Sequence, residues 1–305
     1  MFNSVEKFVE IRDKKYPTAL NGALKKLQPS LGPKRLYYKG NWNDGIFKNC
    51  LAVVGSRHLT FYGRRATEQL VTEVAASGVT IVSGFMYGGD EAAHSAAVKC
   101  GGKTIAVMPC GINIIHPASQ KKLYEEILKN NGLIISEYEG DFLPITWSYV
   151  QRNRIVAGLS RAVLVTEASL NSGSLLTAGY AKKFGRKIFA LPGQITSEVS
   201  KGTIKLIREG AEPVMEARDI LKFFKVLVNS PRAEEGPTFQ SFGRSDLPIA
   251  GSLEEKIIEQ LKREPMKADE MARAFGIPVA QIGTALSLMQ LKGFINQDSG
   301  KYYVD

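Results

Sequence analysis

From Leu51 onward the chain alternates short apolar runs, many of them β-branched, with longer stretches in which apolar positions recur every three or four residues. The short runs are Leu51–Gly55, Val79–Gly84, Lys103–Pro109, Leu133–Glu137, Ala162–Ala168 and Lys187–Gly193, and they read as strands. Each is apolar along its whole length, the pattern of a strand covered on both faces. Helical periodicity fills the intervals over Arg64–Ser77, Asp90–Cys100 and Leu175–Phe184. Strand and helix in turn predict an α/β fold built on a parallel sheet.

Residues 1–50 carry turn signals at Tyr16-Pro17, Pro29, Gly32-Pro33 and Gly40, and read as a lead-in with one short helix and one strand near Arg35–Lys39. The alternation stops near Phe224. Residues 226–250 are rich in Pro, Gly, Ser and charge without apolar period, which predicts a linker. Leu253–Lys262, Lys267–Phe275 and Val279–Lys292 are again helical, and FINQDSGKYYVD places two short strands around Asp298-Ser299-Gly300. Three helices and a hairpin within 251–305 predict a small winged-helix domain behind a sheet domain spanning 51–225.

The chain has 305 residues, 44% of them hydrophobic and 23% charged, the balance of a soluble globular protein. No apolar run approaches the ~20 residues that cross a bilayer, and the N-terminus has no signal-peptide core, so a cytosolic protein without membrane contact is expected. Cys50, Cys100 and Cys110 are odd in number and lack CxxC spacing, which supports neither a disulfide framework nor a zinc site. Forty Lys and Arg against 30 Asp and Glu give a formal charge of +10, and that sign favours polyanions.

In an open parallel sheet, ligands sit beyond the carboxyl ends of the strands. The exits there are Gly55-Ser56-Arg57, Ser83-Gly84 with Gly88-Gly89-Asp90, Pro109-Cys110-Gly111, Asn171-Ser172-Gly173-Ser174, and Gly193. Nearly all are Gly or Ser, which let backbone approach a ligand and leave N–H groups at helix starts to face anions. Ser172-Gly173-Ser174 is the best such phosphate nest. Neither GxGxxG nor GxxxxGK[ST] is present, so dinucleotide and NTPase chemistry lack their signatures. His58, His94 and His116 have no metal-ligand spacing, and Glu137, Glu139 and Glu167 near strand ends are as well suited to capping helices or pairing with arginine as to catalysis. No catalytic set and no cofactor are expected. Arg152-Asn153-Arg154 reads as two guanidiniums opening a helix RNRIVAGLS. With Arg57, Lys121-Lys122 and Arg186-Lys187 it would form a phosphate-tracking groove, with Tyr62, Phe85, Tyr87 or Trp147 available to stack on bases.

GSRHLTFYG, SGFMYGGDEAAHSAA, PCGINIIHPASQKKLYEEI, WSYVQRNRIVAGLSRAVLVTEASLNSGSLLTAGYAKKFGRKIFALPG and SKGTIKLIREGA, in that order, closely resemble the DprA/Smf (DNA-processing protein A) family. The resemblance runs from about Tyr16 to Leu221 and continues into the C-terminal helices. It implies an extended Rossmann-like domain that binds and protects single-stranded DNA and loads the recombinase RecA on it in natural transformation or related recombination, without enzymatic turnover. It implies a DNA pocket of Ser56, Arg57, Gly84, Lys121, Arg152, Asn153, Arg154, Ser172, Gly173, Ser174, Arg186 and Lys187. It also implies a homodimer through about residues 204–221, with RecA contact near the same surface. Three departures bear on the pocket: Phe85–Asp90 stands where the family has Ala-Arg-Gly-Ile-Asp, His116 replaces a tyrosine, and Asn113 replaces an acidic residue. The segment before the sheet is too short for the helical domain that some members carry.

The alternative is an enzyme acting on a nucleotide or nucleoside monophosphate. The cytokinin-activating phosphoribohydrolases of the wider superfamily use the same crevice with a PGGxGTxxE signature, but NSGSLLTAG here lacks the paired glycines and the glutamate. A winged-helix DNA reader is a third reading. Its recognition helix, Val279–Lys292, has one basic residue, so protein binding suits that domain better.

Overall fold

The computed structural model describes residues 7–26, 32–226, 252–291, 294–298 and 300–304. The chain divides into two units, Met1–Asn229 and Ser230–Asp305. The first contains β1 (Phe8–Glu10), α1 (Thr18–Leu24), β2 (Arg35–Gly40), β3 (Cys50–Val54), α2 (Phe61–Ala76), β4 (Thr80–Ser83), α3 (Gly89–Lys99), β5 (Thr104–Val107) and α4 (Lys121–Lys129). It continues with β6 (Leu133–Ser136), α5 (Thr146–Leu159), β7 (Ala162–Val165), α6 (Gly173–Phe184), β8 (Lys187–Ala190), α7 (Lys201–Arg208), β9 (Glu212–Pro213) and α8 (Ala217–Phe224).

Adjacent strand residues point to opposite faces, and here both faces are covered. Ala52, Val54, Val82, Ile105 and Val163 join one core with Leu20 of α1, Ile155 and Val156 of α5 and Phe184 of α6. Leu51, Val53, Ile81 and Leu164 join a second core with Val71 and Val74 of α2, Ala97 of α3 and Ile220 of α8. That double burial is why the strands show no polar alternation.

The sheet order is β1-β2-β6-β5-β4-β3-β7-β8-β9. Strands β3 to β9 run parallel to one another, while β2 is antiparallel to both β1 and β6. The chain builds outward from β3 to β6, then returns to lay β7 on the other side of β3. The connections diverge between β3 and β7, and a crevice opens at their carboxyl ends.

Several boundaries differ from the sequence reading. The expected lead-in is part of the first unit: β2 extends the sheet through β6, and Leu20, Leu24 and Leu36 are buried in the first core. Helix α2 starts at Phe61, where the Thr60 side chain accepts from Gly63 N at 3.0 Å, and α6 starts at Gly173 behind the cap Ser172. The largest difference is α5. It begins at Thr146, where Ile145 N donates to Ser148 Oγ at 3.2 Å, six residues before Arg152. Arg152-Asn153-Arg154 therefore occupies mid-helix rather than a positive helix end, and at 100° per residue Arg152 and Arg154 point to different sides. The expected linker falls, from residue 227 onward, outside the described residues, as does Ser299 of the expected turn.

The second unit is a winged helix: α9 (Leu253–Arg263), α10 (Ala268–Phe275) and α11 (Val279–Leu291), followed by β10 (Asn296–Asp298) and β11 (Lys301–Tyr303). Ile257, Leu261, Met271, Ile282, Leu286 and Met289 form its core. The hairpin strands pair antiparallel, and Met266 bridges Tyr302 to hold them against the helices. No helix among the described residues is long and apolar enough to cross a membrane.

Candidate nucleic-acid interface

A cavity of about 540 Å³ lies at the switch point, between the loops after β3 and β4, the first half of α5 and the start of α6. The β3 exit places Gly55 and Arg57 in its wall, the β4 exit Gly84, and α6 presents Ser172-Gly173-Ser174. Backbone approaches backbone at its floor: a Cβ on Gly89 would come within 2.6 Å of Gly55 Cα. At Gly173, the first residue of α6, a Cβ would meet nothing within 4 Å, so the helix start is open on that side. The serine hydroxyls are partly engaged. Ser172 Oγ accepts from Ser174 N at 3.3 Å, and Ser174 Oγ donates to Gly55 O at 2.8 Å, pinning α6 to the β3 exit.

Arg152 dominates the electrostatics. It is 4% exposed, and its Nη1 donates to Gly84 O and to Val107 O, the latter at 2.6 Å, while Nε donates to Asn153 Oδ1 at 3.2 Å. A Cβ on Gly84 would overlap the guanidinium, which accounts for glycine there. Among the described residues no carboxylate lies within ion-pair distance of Arg152. Its pKa is lowered by burial, with Asp90 opposing that shift and Arg57 adding to it. Asp90, also buried, accepts from Met86 N at 3.2 Å; burial raises its pKa, and Arg152 works against the rise. Arg57 is exposed and lies over the Tyr149 ring at 5.5 Å. Tyr149 O–H bonds His116 Nε2 at 2.7 Å, and burial followed by Arg57 lowers the His116 pKa, keeping that ring neutral at pH 7. Tyr87 is 46% exposed on the opposite wall, its hydroxyl 3.2 Å from Ser119 Oγ. Two cations, one helix N-terminus and two tyrosine rings thus converge on one opening.

Arg57, Gly84, Arg152, Asn153, Ser172, Gly173 and Ser174 line this crevice, and Ser56 sits behind it with its Oγ accepting from His58 N at 3.1 Å. Lys121 is exposed at the start of α4, two residues beyond the Ser119 that meets Tyr87. Three expected members lie elsewhere. Arg154 is 5% exposed and forms a two-pronged ion pair with Glu137, at 2.7 and 3.1 Å, that ties α5 to the end of β6. Arg186 immediately precedes β8 and Lys187 is its first residue, so they stand at the amino edge of the sheet, opposite the crevice. There Arg186 donates to Ala19 O and Gly158 O, and Lys187 pairs with Glu212 at 2.5 Å. The exits after β5 and β8 also do not open into the crevice. Gly111 N donates to Phe142 O, and a Cβ on Gly193 would strike Ser200.

Of the stacking candidates, Phe85 is fully buried against His94 and Tyr124. Tyr62 donates to Pro192 O at 2.7 Å, and Trp147 packs with Tyr138 and Phe142 outside the crevice wall. Tyr149 is the wall residue that sequence reasoning misses. Its signal is its place three residues before Arg152 on one helical face, visible only once α5 is started at Thr146. The candidate carboxylates and histidine are structural: Glu139 accepts from Tyr37 O–H at 3.1 Å, and Glu167 accepts from Thr60 N and Oγ1 at the head of α2. His94 Nδ1 meets Thr104 Oγ1 at 2.7 Å inside the protein.

Residues 7–225 match the sequence model of the DNA recombination-mediator protein A family, and residues 244–301 match that of the DprA winged helix domain. The chain is 38% identical to protein Smf of Escherichia coli strain K12 over 253 residues, covering 83% of this chain and 67% of the relative. It is 41% identical to the DNA processing protein DprA of Streptococcus pneumoniae strain R6 over 193 residues, covering 63% and 67%. The solved DprA of Streptococcus pneumoniae superposes with a TM-score of 0.66 at 38% identity, over 72% of this chain and 74% of that one. The DNA processing protein A of Helicobacter pylori, studied for its single-stranded DNA binding mode, superposes with a TM-score of 0.62 at 32% identity, over 72% and 96%.

Proposed function

The chain belongs to the DNA recombination-mediator protein A (DprA/Smf) family, and on that premise we propose that it binds single-stranded DNA in the switch-point crevice and acts as a recombination mediator. The observation that carries this reading is the convergence of Arg57, Arg152 and the α6 N-terminus beside Tyr87 and Tyr149. Guanidiniums and free N–H groups suit phosphates, and tyrosine faces suit unpaired bases of any sequence. A duplex keeps its bases stacked away from such a pocket, so the single strand is the preferred ligand.

The finer role is protection of the strand and loading of RecA, with the protein acting as a homodimer. Support for pairing through about residues 204–221 comes from Met215, 88% exposed within that stretch, and Ile195, 83% exposed before it. Large apolar side chains this exposed suit a protein partner.

The test is fluorescence anisotropy with labelled oligo-dT and a duplex of equal length across a salt titration. Tighter single-strand binding is expected, weakening with salt at a slope of about −0.7 per phosphate neutralised. Arg57→Ala, at an exposed site outside the core, should weaken all sequences alike and flatten that slope. Wild-type affinity in a folded Arg57→Ala protein would place the strand elsewhere.

A further inference from the structure

The Arg186-Lys187 motif lies outside the crevice, yet its surroundings are strongly basic. Arg161, at the start of β7, donates to Asn49 Oδ1 at 2.6 Å and stands over the Phe223 and Phe224 rings at 5.6 and 5.4 Å. Among the described residues the Arg186 guanidinium bonds only backbone carbonyls, and its buried Nε has no partner. Lys26 donates to Phe184 O at 2.8 Å. None of these three cations has a carboxylate partner among the described residues. Arg161 and Arg186 share the wall of a cavity of about 600 Å³ with Phe223, and Arg186 continues into a second of about 290 Å³ lined by Lys26. The two guanidiniums are close enough that Arg161, after burial, disfavours the charge on Arg186. A phosphate placed between them would relieve that repulsion.

Helix α6 joins this edge to the crevice. It begins with Gly173 in the crevice wall and ends at Phe184, capped by Gly185 next to Arg186. Its 12 residues span about 18 Å. Gly173, Leu176, Tyr180 and Lys183 follow one another at helical spacing along one face. Leu176 lines the crevice and is 47% exposed, Tyr180 stacks on Phe184, and Lys183 Nζ lies 5.8 Å from the Tyr180 ring centre. An aromatic ring with a flanking cation is the composition of a single-strand track.

Building on the crevice as a single-strand site, we propose that a strand leaving it runs along the outer face of α6, over Tyr180 and Lys183, to a second phosphate site at the amino edge made by Lys26, Arg161 and Arg186. The strand is then gripped at both ends of one helix, and binding strength grows with strand length beyond what the crevice alone holds.

The test compares the full chain with Lys183→Gln and Arg161→Gln variants, using a short oligo-dT that fills only the crevice and one several times longer. Lys183 is exposed, so its replacement leaves the core intact. Both variants should bind the long strand several-fold more weakly, with a salt slope smaller by about 0.7 for each phosphate left without its cation, and bind the short strand as wild type does. Unchanged affinity for the long strand, or the same weakening at both lengths, would overturn the second site. Failure of the wild type to bind either strand would overturn the crevice reading and the track with it.

Discussion

His94 lies in α3 with its ring fully buried, one nitrogen against Thr104 and the other without a partner among the described residues. Burial, reinforced by Arg152, pushes its pKa from 6.5 down to about 3. The folded ring is therefore neutral at pH values where the unfolded ring is charged. Between about pH 6.5 and 3 the unfolded chain binds the extra proton, so stability is full above that window and is lost as pH falls through it, by up to ~1.4 kcal/mol per pH unit. Urea unfolding followed by tryptophan emission reports the first unit alone, since Trp42 and Trp147 both lie there. The midpoint should fall from pH 7 to pH 4 more steeply for wild type than for His94→Asn. Parallel curves would mean that His94 is already charged in the fold. The same residue marks a limit of sequence reading. Its position in a helix was legible, but its partner Thr104 comes from the next strand, and only the packing of α3 on the sheet brings them together.

Among the elements, α5 decides the site. It carries Tyr149, Arg152 and Asn153 into the crevice, and the Arg154–Glu137 pair fixes it against β6. Removing one partner of a buried pair strands the other charge, at a cost of about 3 kcal/mol. Glu137→Ala should therefore lower unfolding stability by roughly that amount, and Glu137→Ala/Arg154→Leu should recover part of it. A double variant no more stable than Glu137→Ala would show that Arg154 tolerates isolation. The strands were legible because continuous apolar runs are unambiguous when six recur between helices. The start of α5 was not, because Trp147, Tyr149 and Val150 carry no apolar stripe and no Ser, Thr, Asp or Asn precedes Thr146 in the capping position. Placing Arg186-Lys187 in the crevice had a simpler cause. Residues that open a parallel strand sit at its amino end, and the pair opens β8, Arg186 just before it and Lys187 as its first residue.

At the scale of the molecule, charge is unevenly divided. Residues 251–305 hold seven Lys and Arg against eight Asp and Glu, so the entire +10 excess belongs to residues 1–250. The exposed Thr284, Ser287 and Leu288 of α11 are uncharged. Under the proposed crevice binding, a strand stabilises the first unit specifically. At a free oligo-dT concentration of about 100 times Kd, its unfolding free energy should rise by about 2.7 kcal/mol, and Arg57→Ala should need a proportionally higher concentration for the same gain. A melting transition that ignores oligo-dT would separate binding from this unit.

Arg152 gives that linkage a biological edge. Its guanidinium is held inside the protein by the Gly84 and Val107 carbonyls and the Asn153 side chain, with the buried Asp90 favouring its charge but no carboxylate within ion-pair distance among the described residues, and a phosphate in the crevice would add a counter-charge. Each molecule that has found a strand is also one that opens less often, and opening is what exposes a chain to proteolysis. Under the proposed crevice binding, strand-loaded protein should therefore resist limited proteolysis longer than free protein, and equal digestion rates with and without oligo-dT would break that link.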